Sequence, residues 1–214
     1  MGIQPKGSSC RREAHVRQFS DDMVRGLGLV PRAESSCAAS PVNTLFVQRV
    51  HYVAHPRHNG KIVRRLENED DIVTALTAAA LDGAAGVQLV KGTFSAMSLR
   101  EQVALAQAAC VIVGAHGAGL SHVLFAPPEV HVLEIQTPGF ARPHFVGYTL
   151  WAGSHHHVWQ SDTSTPQVHN VVSRVFETAV HAGVEAREGS HGHDAGHPGA
   201  DGALAGHPGH NNRR

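Results

Sequence analysis

The stretch that decides the fold is residues 110–125, which reads Cys-Val-Ile-Val-Gly-Ala-His-Gly-Ala-Gly-Leu-Ser-His-Val-Leu-Phe. Its first half contains the apolar run Val111 to Val113, typical of a strand buried on both faces of a parallel sheet. Glycines then interrupt the run, apolar residues return at helical spacing, and Pro127-Pro128 stops the element. The pattern predicts a strand, a glycine-rich turn and a short helix over 120–125.

The glycine-rich turn is the first candidate site. It follows the carboxyl end of a strand, where open α/β sheets bind ligands, and backbone N–H groups in such a turn can converge on an anion. Two roles stay open for the glycines, an anion cradle or close packing of a tight crossover. Two roles also stay open for His116, a hydrogen bond to a ligand or a neutral ring that holds the turn.

Strand and helix patterns alternate along the chain. The predicted helices are 13–27, 68–82, 98–109, 120–125, 143–152 and 167–182, and the predicted strands are 45–47, 86–90, 111–113, 130–135 and 155–159. Ser98 and Glu101 form a capping box at the start of one helix, and Asn68 is expected to cap another. The alternation predicts an α/β fold with a Rossmann-like parallel sheet covered by helices.

Composition sets the limits of the domain. We expect a loose N-terminus over 1–12, one folded domain over 13–182, and a disordered tail over 183–214, which is rich in Gly, His and Pro and has few apolar residues. Lys and Arg (18) balance Asp and Glu (18), which argues against nucleic acid or an anionic membrane as partner. No apolar segment is long enough for a membrane span or a signal peptide, so we expect a soluble chain or part of a longer one.

Cysteines and histidines give no metal-site pattern. The three cysteines, Cys10, Cys37 and Cys110, lack zinc spacing and form no disulfide framework; whether Cys10 and Cys37 pair stays open. Neighbouring histidines on a strand alternate faces, so the triplet 155–157 cannot ligate one ion together. The His-rich tail has no Cys or spaced carboxylates to complete a site. We expect no structural or catalytic metal and no cofactor.

Three segments together resemble the glycosyltransferases of family 61. This group contains EGF-domain-specific and protein-O-mannose N-acetylglucosaminyltransferases and plant xylan-decorating enzymes. The first segment is 114–128, followed by an apolar strand that contains Glu134. The second is Phe-Val-Gln-Arg at 46–49 with Arg-Arg-Leu-Glu-Asn-Glu at 64–69, before an amphipathic helix. The third is 153–159, an aromatic-ended strand after a helix.

The resemblance implies inverting, metal-independent transfer from a nucleotide sugar, often a UDP sugar, to a protein or polysaccharide acceptor. Family members have two Rossmann-like domains in a GT-B arrangement, and this chain resembles only the carboxyl-terminal, nucleotide-binding half. The chain is therefore expected to be a fragment, the product of a truncated gene model or a degenerate relative, with 13–182 as a nucleotide-sugar-binding domain and an unknown catalytic base. The family also implies the lumen of the Golgi or endoplasmic reticulum.

The resemblance further implies a nucleotide-binding set consisting of Arg49, Arg65, His116, Gly117, Ala118, Gly119 and Glu134. Arg49 and Arg65 would clamp the diphosphate. The alternative of simply solvated arginines is commoner in general, but their positions at a strand end and just before a helix favour the binding role. Glu134 would accept a hydrogen bond from a ribose hydroxyl, as acids near strand ends do in dinucleotide folds. The alternative for Glu134 is a structural pairing with an arginine.

Two rival functions stay open. One is a hydrolase, because the turn His-Gly-Ala-Gly resembles an oxyanion motif of lipases, but no serine lies in a Gly-x-Ser-x-Gly sequence. The other is a non-catalytic domain, derived from a glycosyltransferase, that binds a nucleotide or a partner. Measuring both sugar transfer and nucleotide binding distinguishes this non-catalytic domain from an active enzyme.

Overall fold

The computed structural model describes residues 13–32, 42–49, 66, 69–82, 87–137 and 142–160. The α-helices are α1 (Glu13–Gly26), α2 (Glu69–Asp82), α3 (Leu99–Ala108) and α4 (His144–Ala152). The strands are β1 (Val42–Val47), β2 (Val87–Gly92), β3 (Val111–Ala115), β4 (His131–Gln136) and β5 (His155–Gln160). Two 3₁₀ helices cover Phe94–Ala96 and Ala118–Phe125. The predictions for 1–12, for Cys10 with Cys37, for the helix at 167–182 and for the tail lie outside the described residues.

The five strands form one sheet in the order β2-β1-β3-β4-β5, and every neighbouring pair is parallel. Strands β3 and β4 are buried along their whole length. This explains why β3 has an unbroken apolar run rather than an alternating pattern. The prediction of a parallel, Rossmann-like α/β fold is confirmed.

Successive side chains of each strand point to opposite faces of the sheet, and each face has its own apolar core. The first face packs against α3, α4 and the longer 3₁₀ helix; its buried residues include Leu45, Val47, Ile112, Leu120, Val123, Val132 and Phe145. The second face packs against α2; its buried residues include Phe46, Leu66, Ile72, Leu76, Val113, Leu133 and Trp159. Both faces of the central strands are therefore covered.

The chain leaves β1 and β3 in opposite directions. After β1 it continues to α2 on the second face, whereas after β3 it turns into the 3₁₀ helix Ala118–Phe125 on the first face. In sheets with this strand order, the point between such diverging connections is the switch point, where ligands bind outside the carboxyl ends of the strands. Here the switch point lies between Arg49, just after β1, and His116, just after β3.

The short helix after β3 differs from its prediction in type. It is a 3₁₀ helix, in which side chains three residues apart lie on the same side. Leu120, Val123 and Ala126 have this spacing, and each is 0% exposed. A spacing of three therefore buries three apolar side chains in one line on the sheet. The capping box at the start of α3 is confirmed, with reciprocal hydrogen bonds between Ser98 and Glu101.

Candidate functional site

The guanidinium of Arg49 packs against the turn after β3. Its Nη1 donates a hydrogen bond to the carbonyl oxygen of His116 at 3.4 Å. A Cβ placed on Gly117 would lie 2.7 Å from Arg49 Nη2 and 2.9 Å from Cζ. The φ of Gly117 is 164°, an extended conformation that any residue adopts. A side chain at position 117 would therefore have to displace the guanidinium of Arg49.

Gly119 allows a second close approach. A Cβ at this position would lie 2.6 Å from Cγ1 of Val47, at the end of β1. The turn is thus pressed against β1 at Gly119, while Ala118 between the two glycines is exposed. A side chain at position 117 or 119 would meet other parts of the protein, which favours the close-packing role. The anion cradle stays a prediction.

His116 is buried and fixed on several sides. Its Nδ1 is hydrogen-bonded to Glu134 of β4, and its backbone N–H donates to the carbonyl oxygen of Ile135 at 2.9 Å. Its ring meets Phe145 edge-on, with ring centroids 5.0 Å apart, and lies 5.8 Å from the ring of His144 at the start of α4. Only 5% of its side chain is exposed, so a ligand can meet no more than one edge of the ring.

Glu134 is a fully buried carboxylate at the centre of a hydrogen-bond network. Its Oε1 interacts with His116 and accepts from Gln136 Nε2 at 3.0 Å, while Oε2 is 2.8 Å from His156 Nε2. Burial favours the neutral acid, but the hydrogen bonds from His156, His116 and Gln136 outweigh it and hold the pKa of Glu134 below its ordinary value. The carboxylate is therefore ionised at neutral pH.

These partners differ from the structural alternative for Glu134. The structural alternative expected an arginine, whereas the partners observed are two histidines and a glutamine, because these side chains share the first face with Glu134. A direct contact with a ribose hydroxyl stays a prediction, and the 0% exposure of Glu134 favours a different role. Its position suits a residue that orients His116 from behind.

A second polar group lies beside the switch point at the ends of β1 and β2. Gln48 Nε2 donates to Glu69 Oε1 at 2.8 Å, and Gln48 Oε1 accepts from Thr93 Oγ1 at 3.1 Å. These bonds tie the end of β1 to the first residue of α2. Arg65, the other predicted diphosphate ligand, lies outside the described residues.

Sequence reasoning missed Gln136 and His156 as members of the Glu134 network. Residue parity gives a partial signal, because Glu134 and Gln136 are two apart and must share a face. His156 belongs to the same face only through the pairing of Val132 with His156 in the β4–β5 register. That register is set by the packed sheet and is not readable from either strand alone.

The other histidines of β5 form a separate cluster on the second face. His131 Nδ1 lies 3.0 Å from His157 Nε2, and the ring of His131 stacks on those of His155 and His157. Burial, with smaller effects from the charges of His155 and His157, lowers the pKa of His131 to about 3. Within the described part of the chain, no group of three or more His, Cys, Asp or Glu residues is arranged to hold a metal.

The fold and the site together define a class of protein. A parallel sheet in the order 2-1-3-4-5, with an arginine and a histidine at its switch point, is a doubly wound α/β domain of the Rossmann-like class. The pattern of the family Glycosyltransferase 61 matches residues 12–133, and the chain belongs to this family. No helix among the described residues is both long enough and apolar enough to cross a membrane.

Two plant proteins illustrate the relationship. The chain is 35% identical over 181 residues to a β-1,2-xylosyltransferase of Arabidopsis thaliana, covering 78% of this chain and 34% of the relative. It is 37% identical over 166 residues to the β-1,2-xylosyltransferase RCN11 of Oryza sativa subsp. japonica, covering 77% of this chain and 31% of that relative. The chain thus spans about a third of the length of these relatives.

A solved structure of a flavodoxin-like domain from Synechococcus is also similar, with a TM-score of 0.44 and 10% sequence identity. The match covers 65% of this chain and 99% of that domain. Because the TM-score and the sequence identity are both low, this similarity adds nothing to the strand order described above.

Proposed function

We propose that this chain is the donor-binding part of an inverting, metal-independent glycosyltransferase that takes a nucleotide sugar, most simply a UDP sugar. The proposal rests on membership of the family Glycosyltransferase 61 and on the residues at the switch point. The acceptor would be a protein or a glycan, and the site of action the lumen of the Golgi or endoplasmic reticulum. Because both relatives described above are named xylosyltransferases, UDP-xylose is the first donor to test.

The observation that carries this proposal is the contact between Arg49 and the turn His116–Gly119. A guanidinium presents a planar fork of donors that suits phosphate oxygens, and charge-assisted bonds of this kind are among the strongest hydrogen bonds in proteins. The bond to the carbonyl oxygen of His116 and the packing on Gly117 fix this fork at the edge where doubly wound sheets bind ligands. A fixed side chain loses little conformational entropy when it binds.

The proposed roles of the predicted site residues combine the family resemblance with the positions of those residues that the structure describes. Arg49 and Arg65 bind the diphosphate of the donor, and His116 contacts it with the one ring edge that a ligand can reach. Gly117 and Gly119 allow the turn to pack closely, and Glu134 orients His116. No general base is assigned, although inverting transfer requires a group to accept the proton of the acceptor hydroxyl.

Calorimetric titration of UDP tests this assignment. Since a charge-assisted bond contributes about 1.5–3 kcal/mol, Arg49→Ala and Arg65→Ala are each expected to weaken binding about 10- to 100-fold. Lysine at either position should rescue binding only in part, because the fork geometry is lost. The matched control is Arg25→Ala on α1, where exposed Arg25 pairs with partly buried Asp21 and exposed Asp22, away from the switch point. Unchanged affinity in both site variants would reject the proposal.

An alternative function is nucleotide binding without transfer. The chain spans about a third of the relatives' length, and this alternative concerns that part alone. Transfer needs an acceptor held in line with the anomeric carbon together with a base, and neither is assigned here. Purified 214-residue protein should therefore bind UDP weakly and release no UDP from UDP-xylose in the presence of glycan acceptors. Sustained release that depends on the acceptor would exclude this alternative.

A further inference from the structure

The network around Glu134 fixes where the protons of His116 lie. An ionised carboxylate can only accept hydrogen bonds, so His116 must carry a proton on Nδ1 to bond to Oε1. For the same reason His156 carries a proton on Nε2, and the amide nitrogen of Gln136 faces Oε1. The tautomer of His116 is therefore set by a carboxylate that is itself held by β4 and β5.

This tautomer restricts what the opposite nitrogen of His116 can do. With the Nδ1 proton committed to Glu134, a neutral imidazole has a lone pair on Nε2. The oxygens of a diphosphate diester are acceptors only, so a lone pair on Nε2 would repel them. Only the imidazolium form donates from both nitrogens at once. A contact between His116 and the diphosphate therefore requires the charged ring.

We propose that His116 takes up a proton when the donor diphosphate binds, and that Glu134 is the positioning residue that holds the resulting imidazolium. This inference rests on the proposed function and adds the protonation state in which the site binds its donor. The proton comes from solvent and is held on Nε2, no covalent bond changes, and the proton returns to solvent when the nucleotide leaves.

The charged groups around the ring of His116 favour or oppose its protonated form. Glu134 of β4 favours the imidazolium from one side, whereas Arg49, next to the carbonyl of His116, opposes a second cation. His144 of α4 lies 5.8 Å away, ring to ring, and His156 of β5 competes for the charge of the same carboxylate. A diphosphate brings two negative charges to this edge and shifts the balance towards the protonated ring.

Proton-linked calorimetry on the full chain tests the proposal. The probe is UDP-xylose, since both of its phosphates are esterified, whereas the terminal phosphate of UDP would itself titrate near pH 6. Titrations at about pH 7.5 in buffers of different ionisation enthalpy count the protons taken up. We expect uptake of up to one proton per site, and an affinity for UDP-xylose that falls as the pH rises.

Three variants assign the proton to His116. His116→Gln keeps an amide donor that cannot titrate, so its proton uptake should vanish. Glu134→Gln removes the charge that stabilises the imidazolium, so the pH dependence should move to lower pH and affinity near pH 7.5 should fall about tenfold. His144→Gln, a neighbouring exposed histidine, is the matched control and should keep the uptake of wild type.

The outcomes separate this inference from the proposed function. UDP-xylose binding that is independent of pH, without proton uptake, overturns the inference and leaves donor binding intact. Uptake that persists in His116→Gln, or vanishes in His144→Gln, assigns the proton to another group and also overturns it. No binding at any pH rejects the proposed function itself. If His116→Gln does not fold, Glu134→Gln decides: a pH dependence that stays where wild type has it overturns the inference.

Discussion

The guanidinium of Arg49 and the backbone of Gly117 lie so close that a single methyl group cannot fit between them, since a Cβ at Gly117 would be 2.7 Å from Nη2. One residue follows β1 and the other belongs to the turn after β3. The absence of a side chain at position 117 thus makes room for Arg49, which follows the neighbouring strand, and does not serve a special backbone conformation.

Gly117→Ala is expected to displace the guanidinium of Arg49 and therefore to weaken UDP binding in the same way as Arg49→Ala. UDP affinity should fall about 10-fold or more, approaching the effect of Arg49→Ala. In the double variant the two effects should not add, because each removes the same contact. Calorimetry of the single and double variants measures this coupling. Gly147→Ala in α4 is the control, since its Cβ would meet nothing within 4 Å; additive losses would contradict the prediction.

Gly119→Ala is expected to destabilise the fold instead. Its Cβ would lie 2.6 Å from Val47 Cγ1, and overpacking of this kind costs about 1–3 kcal/mol. For a chain of this length the melting temperature should fall by about 2–12 °C. Adding Val47→Ala should relieve part of the clash, which a double-mutant cycle of thermal melts detects. A Gly119→Ala protein with the melting temperature of wild type would contradict this, because the turn would then have moved to accommodate the methyl group.

His116→Ala tests whether the ring acts in the fold, in binding or in both. Loss of the ring leaves Glu134 buried with one partner fewer, which costs about 1–3 kcal/mol and lowers the melting temperature. If His116 also contacts the nucleotide, the upshift of melting temperature caused by UDP should shrink as well. Melts with and without UDP separate the two effects. An undiminished UDP upshift would make this histidine a structural residue only.

Stability should fall in acid because of the histidine cluster on the second face. The pKa of His131 is about 3 in the folded protein, below the ordinary histidine value of about 6.5, so the unfolded chain binds the proton first. The stabilisation from the neutral ring is fully present above about pH 6.5. It is lost by about 1.4 kcal/mol per pH unit as the pH falls towards 3. Burial also lowers the pKa of His157, which adds to the slope.

Chemical denaturation between about pH 4 and 8 measures this slope. His131→Phe keeps an aromatic ring for stacking but cannot titrate, so the free energy of unfolding should vary less steeply with pH. His15→Gln, on the exposed side of α1, should leave the slope unchanged. Equal slopes in wild type and His131→Phe would show that the cluster does not control acid stability.

The features predicted well from sequence are those that local chemistry determines. The buried apolar run of β3 and the capping box of Ser98 and Glu101 depend on neighbours within a few residues, and the structure confirms both. The alternation of strands and helices was enough to predict a parallel sheet, because each crossover connects one strand to the next. The family assignment used three other short segments, 114–128, 46–49 with 64–69, and 153–159, and is confirmed by the family match over 12–133.

The features missed depend on which residues meet across the sheet. That Glu134 bonds to His156 follows from the β4–β5 register, and that Gly117 faces Arg49 follows from the pairing of β1 with β3. Apolar spacing alone also did not separate a 3₁₀ helix from an α-helix over so short a span. The nucleotide-binding roles, including that of Arg65, stay predictions.

The contact of Gly119 with Val47 has a consequence for how this sequence can change over time. Since the side chains at the two positions would occupy the same space, a larger residue at 119 becomes tolerable only after a smaller residue has replaced Val47. Substitutions at the two positions should therefore occur in a fixed order in any lineage that leaves this pairing. Side-chain sizes at 47 and 119 should then be inversely correlated among related proteins, although the two positions are far apart in the chain.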